Sequence, residues 1–172
     1  QHMRAPVKGM LGPWNHTWPH TAVPPPAIEW RHEVVRWFDQ WLKGKDTGIM
    51  AEPRFSVYLR DWHPPGVSPE FIPGRWLDLA GWPALEIGAK EFNLHADGTL
   101  SLQSAAAAQR DLRYVPSVGI EASGSVMWWG DWAPDQRSAD AQSLVFDSAP
   151  LAEPQAILGF PHARLQVSAD AT

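Results

Sequence analysis

RWFDQWLKGKDTGIMAEPRFSVYL, residues 36–59, changes its period halfway along. Its first half closes a run, Ile28 to Lys43, in which Trp30, Val34, Trp37, Phe38, Trp41 and Leu42 recur at steps of three and four. That spacing places apolar side chains on one stripe of a helix. Glu29, Glu33, Arg36, Asp39, Gln40 and Lys43 fill the opposite side. Gly44 suits a C-cap, Lys43 suits the negative end of the helix dipole, and Pro26 sits near the start, where proline is tolerated. Beyond Gly48 the period is two. Phe55, Val57 and Leu59 alternate with Arg54, Ser56, Tyr58 and Arg60, the pattern of a half-buried strand. The chain is therefore expected to have α/β character over 1–48 and all-β character over 49–172.

Outward from this stretch, Val7 to Leu11 predicts a short strand stopped by Gly12-Pro13, both strong punctuators. Trp14 to Pro26 is proline-rich and reads as loop. Downstream, Phe92 and Leu94 alternate toward Asp97-Gly98, with Leu100 and Leu102 beyond it, which predicts a hairpin. Ser143–Asp147 and Ala163–Ser168 predict further strands, and Ser104–Arg113 a short helix. Short strands separated by turn signals suggest a sandwich. The strand at Val7 to Leu11 has no sheet neighbours of its own type, and few residues follow the last strand candidate. Both ends therefore read as cut.

A length of 172 residues allows about one domain, or one domain plus a piece of another. Hydrophobic residues at 44% and charged residues at 19% match a globular chain and exclude a disordered tail. The net charge of -5, with no Lys/Arg cluster, argues against a nucleic-acid-backbone binder. Apolar runs are far too short for a membrane span, and Gln1 to Leu11 carries no long apolar signal region. With no cysteine there is no disulfide, thiolate metal site or cysteine nucleophile. The compartment stays open, because cytosolic and exported proteins alike can lack cysteine. The 11 Trp and 17 Pro suggest extensive packing surfaces, some of them facing partners outside the chain.

His16 lies in Gly12-Pro13-Trp14-Asn15-His16, directly after the strand. Histidine is the side chain that titrates closest to neutral pH, so a loop histidine can serve as general base; a structural loop histidine is the plain alternative. His16 and His20 are four apart, but Pro13 and Pro19 argue against a shared helix and no Glu follows His16. A zinc site is therefore not expected. Ser123 and Ser125 flank Gly124 without the glycines of G-x-S-x-G. No P-loop or G-x-G-x-x-G occurs. Asp131, Asp135 and Asp140 do not follow a calcium loop. No cofactor is expected. Glu29 and Glu33 could mimic a catalytic carboxylate pair, but a solvated helix face explains them. Trp128, Trp129 and Trp132 could form a stacking platform for a sugar or acyl group, or pack against a neighbouring domain.

The segments GPWNHTWPH (12–20), RWFDQWLKGKDTGIMAEP (36–53) and FSVYL (55–59) together resemble the CocE/NonD hydrolases. These include X-Pro dipeptidyl-peptidase-like enzymes, cocaine esterase-like esterases and α-amino-acid ester hydrolases or acylases. LHADGTLSL (94–102), DQR (135–137) and SLVFDSAPLAEPQAILG (143–159) follow in the family's order. The resemblance implies a serine hydrolase fragment. Residues 1–48 would end an α/β-hydrolase domain with a strand, a His loop and a helix. Residues 49–172 would begin a C-terminal jelly-roll sandwich of galactose-binding-like type, and both domains would be incomplete. It implies that His16 is the triad base, with His20 and Trp14 as substrate-pocket residues. The serine, the triad acid and the oxyanion donors would lie in a catalytic portion outside the chain. Expected partners are that portion, a small ester, amide or peptide substrate and, compatibly, a second copy of the protein, with no nucleic acid and no membrane. A non-catalytic sandwich binding module and a structural β-domain are the competing readings.

Overall fold

The computed structural model describes residues 4–66, 69–84, 87–118 and 135–170. In chain order the elements are β1 (Gly9–Leu11), α1 (Trp30–Lys43), β2 (Phe55–Arg60), β3 (Gly74–Leu79), β4 (Asn93–Leu94), β5 (Leu100–Ser101) and α2 (Arg137–Asp140). Beyond residue 48 the described elements are thus mainly strands, joined by one helix of 4 residues.

The helix expected over Ile28–Lys43 starts two residues later and ends where its chemistry dictates. Gly44 takes a left-handed conformation, φ 66°, which costs glycine no Cβ clash. Its N–H closes the helix onto the Asp39 carbonyl. Lys43 and Lys45 both reach the Asp39 carboxylate, at 2.5 and 3.2 Å. Those hydrogen bonds, Lys43 first, hold the Asp39 carboxyl below the usual range.

One sheet organises the chain, in the order β1-β2-β3. β1 runs parallel to β2, with Gly9 opposite Phe55 and Leu11 opposite Val57. β3 runs antiparallel to β2, pairing Val57 with Leu77 and Phe55 with Leu79. Alternation sorts the side chains: Phe55, Val57, Leu77 and Leu79 share one face, Ser56, Tyr58, Trp76 and Asp78 the other. On the second face Ser56 Oγ donates to Asp78 at 2.6 Å, and Tyr58 meets Trp76 edge-on at 5.5 Å. Val57 and Leu79, with Ala22, Ile49, Ile72 and Ala84, make up the buried apolar core of the described residues.

Several expectations change here. β1 has a parallel neighbour inside the chain, so its pairing does not lie wholly in a missing portion. β3 was not foreseen: Trp76 faces one way and Leu77 and Leu79 the other, which blurs the period of two. The hairpin at Asp97-Gly98 forms, but only Asn93–Leu94 and Leu100–Ser101 pair. Ser143–Asp147 contributes a single bridge, Asp147 to Thr99, and Ala163–Ser168 forms no strand. Without a partner ladder a β-patterned segment has nothing to bond to. Ser104–Arg113 is not helical. The apolar stripe of α1 stays largely uncovered: among the described residues no strand or other helix packs on α1, and Phe38, Trp41 and Leu42 are exposed.

Leu79 is 1% exposed and Leu42 76%. Leu79→Ala should therefore cost about 2–5 kcal/mol in chemical denaturation of this chain, and Leu42→Ala less than about 0.5 kcal/mol. Similar losses at the two positions would show that the core is misplaced.

Candidate active site

The loop between β1 and α1 carries all three candidate site residues, Trp14, His16 and His20. It leaves the sheet at Gly12, where a Cβ would meet the Trp14 ring at 2.3 Å. Only glycine lets Trp14 fold back this closely. The Trp14 ring is half-buried and lies 6.2 Å from Trp76 of β3. Its Nε1–H donates to the Pro26 carbonyl at 2.6 Å, bridging the far side of the loop.

A tight turn then presents His16. Thr17 donates twice to Asn15, from its amide to the carbonyl at 2.8 Å and from its hydroxyl to Oδ1 at 2.7 Å. His16, between them, is exposed. His20 is half-buried and turns elsewhere: Trp30 Nε1–H donates to its Nδ1 at 3.0 Å. That bond leaves the neutral ring's own proton on Nε2. Trp18 stacks on Trp30 at 4.9 Å and 9°, and the Ile28 amide donates to the Pro19 carbonyl at 3.1 Å. Trp14 and His20 are thus fastened to opposite supports, Trp14 to Pro26 and Trp76, His20 to the first residue of α1.

Both flanks of the loop converge on Glu52. Its carboxylate accepts from Lys8, just before β1, and from Arg36 of α1. Arg36 also donates to Glu33 at 2.9 Å and to the Thr47 carbonyl at 3.3 Å. Thr47 answers with its hydroxyl to the Arg36 carbonyl at 3.2 Å and its amide to Gln40 at 3.1 Å. Arg36 first and Lys8 second hold the Glu52 carboxyl below the usual range. Glu29 pairs with Arg31 at 2.9 Å, so Glu29 and Glu33 each face an arginine rather than forming a catalytic pair.

Nothing in the sequence pattern marks Glu52 or Trp76 for the site, while Pro26 and Trp30 read only as parts of the helix start and the helix stripe. Trp128, Trp129 and Trp132 lie outside the described residues. Among the described residues no three metal-ligating side chains come together, and no helix is long and apolar enough to cross a membrane.

Residues 47–172 match the family model of the X-Pro dipeptidyl-peptidase C-terminal non-catalytic domain, and the chain belongs to this family. Two mycobacterial proteins, from Mycobacterium bovis and Mycobacterium tuberculosis, bear the provisional name of serine esterase. Each is 30% identical over 164 residues, covering 87% of this chain and 24% of the relative. The chain thus spans about a quarter of the length of these relatives. Both findings fit the CocE/NonD likeness of the sequence. No solved structure gives a significant match.

Two measurements check this geometry. Trp30→Phe removes the N–H donor to His20 while keeping an aromatic ring. It should lower stability by about 1 kcal/mol and raise the Nδ1–H share of the neutral His20 ring toward that of free histidine in nitrogen NMR; an unchanged tautomer ratio would contradict the bond. The Glu52 carboxyl is depressed, so its contribution is complete above the unfolded value of about 4.3 and is lost as pH falls through the folded value. The stability gap between the wild type and Glu52→Gln should be constant above about pH 5 and shrink in more acid solution. A gap that widens on acidification would contradict the ion pairs.

Proposed function

We propose that this chain is part of a serine hydrolase that cleaves ester or amide bonds, peptide bonds included, through an acyl-enzyme, and that His16 is its triad base. The observation that carries the reading is the loop itself. An exposed histidine sits in a tight turn directly after a strand, on a loop braced by tryptophans, next to a domain of a peptidase family. The names of the mycobacterial relatives point to the same chemistry. The match that begins at residue 47 describes a non-catalytic domain, so the catalytic contribution of the chain would come from the residues before it.

In this reading His16 accepts the proton of a serine hydroxyl as it attacks the acyl carbon. It then returns the proton to the leaving alcohol or amine, and the same exchange with water releases the acid. The serine, its acid partner and the oxyanion donors lie outside these 172 residues. His20 and Trp14 contribute to the pocket wall, His20 through the Nε2–H that its bond to Trp30 leaves available. β1, the His16 loop and α1 end an α/β-hydrolase domain, and the strands beyond open a jelly-roll. The exposed stripe of α1 is the face on which the rest of the catalytic domain packs. The chemistry needs only side chains and water.

The isolated chain should neither turn over an activated ester nor take up a serine-directed phosphonate. Joined to its catalytic portion it should do both. In that protein His16→Ala should lower kcat by about 10³–10⁶, and His20→Ala far less. Equal losses at the two positions, or near-normal turnover for His16→Ala, would remove His16 as the base.

A further inference from the structure

We propose that Glu52 is a positioning residue for His16, one carboxylate that fastens both the strand entering the His16 loop and the helix leaving it. The proposal rests on the reading of His16 as the base.

The two oxygens of Glu52 are divided between two cations. Oε2 takes Lys8 and Oε1 takes Arg36. Lys8 and Arg36 stand 44 and 16 residues before Glu52 in the chain and bracket the whole loop. Their side chains are only 15% and 22% exposed, against 37% for Glu52. Salt screens such partly covered pairs less than surface pairs. Arg36 has little freedom to move, because Glu33 and Thr47 hold its other N–H groups. The Glu52 position is therefore transmitted to α1 as a rigid body. At the other flank, Gly9 donates to the Arg54 carbonyl at 2.9 Å, two residues beyond Glu52, so backbone and side chain fix β1 together.

Glu52 also lies inside the family-matched segment, whereas Lys8, His16 and Arg36 lie before it. The non-catalytic domain thereby sets the frame of the catalytic loop. A general base must meet its proton donor within hydrogen-bond distance, and a displacement of about 1 Å costs on the order of 10²-fold in rate. Without the carboxylate, the bridge from Lys8 to Arg36 at the loop base is lost, and only Glu33 and Thr47 still hold Arg36.

Three variants test the proposal: Glu52→Gln, which keeps the shape and loses the charge; Glu52→Asp, which keeps the charge and loses reach; and Asp39→Asn as a control on a helix ion pair away from the loop. In hydrogen exchange of this chain, Glu52→Gln should speed the Gly9, Thr21 and Ile28 amides by about tenfold or more. The β2–β3 ladder amides should stay within about twofold, and Asp39→Asn should leave the loop unchanged. In the joined enzyme both Glu52 variants should lower kcat by about tenfold or more at constant KM. Uniformly faster exchange, or faster loop exchange with normal kcat, would overturn the positioning role. A normal kcat for His16→Ala in the same enzyme would instead overturn the reading of His16, with the exchange result for Glu52 still standing. If Glu52→Gln does not fold, Glu52→Asp decides on the same two readouts.

Discussion

The Glu52 carboxylate between Lys8 and Arg36 is the constraint on which the arrangement of this chain depends. Sheet pairing alone would join β1 to β2 over three residues, a short contact. Helix α1 has no strand or second helix against it among the described residues. The ion pairs supply what packing does not, linking the strand, the helix and the segment before β2 at one point. Exposed ion pairs contribute about 0–1 kcal/mol each. This one is a network of partly covered groups with Arg36 anchored on several sides, and its value lies in geometry as much as in stability.

The loop is braced by a second device, aromatic and local. Trp14 spans to Pro26 and touches Trp76, while Trp18 and His20 both lean on Trp30. Trp suits such work because a large apolar ring and one N–H donor act together. The loop's many prolines reduce the entropy lost in ordering it. Between the charged anchor at its base and the aromatic braces along its length, a segment without regular structure holds a defined course. That is what a loop needs if it is to present a reactive side chain.

Much of this was legible in the sequence, for physical reasons that differ by element. α1 announced itself through a stripe at steps of three and four closed by Gly44, and β2 through clean alternation over Arg54 to Arg60. β3 was hidden because Trp76 and Leu77 face opposite sides, so both faces of the strand look apolar. The strand expected at Ser143–Asp147 reduced to one bridge because alternation marks a strand's faces but not its partner. Glu52 could not be read at all: a carboxylate that reaches across 44 residues leaves no periodic trace. Nor could the double duty of Trp30, whose ring belongs to the helix pattern and whose N–H serves the loop. His16 stood out through its family likeness, since a single loop histidine has no spacing partner to give it away.

The proposed role of His16 as the base of a serine hydrolase can be read directly from a structure of the joined protein labelled with a serine-directed phosphonate. An imidazole nitrogen of His16 should then lie about 2.6–3.2 Å from the phosphonylated serine oxygen, with the Lys8–Glu52–Arg36 bridge intact beneath the loop. A different histidine at that oxygen, or His16 turned away to solvent, would contradict it.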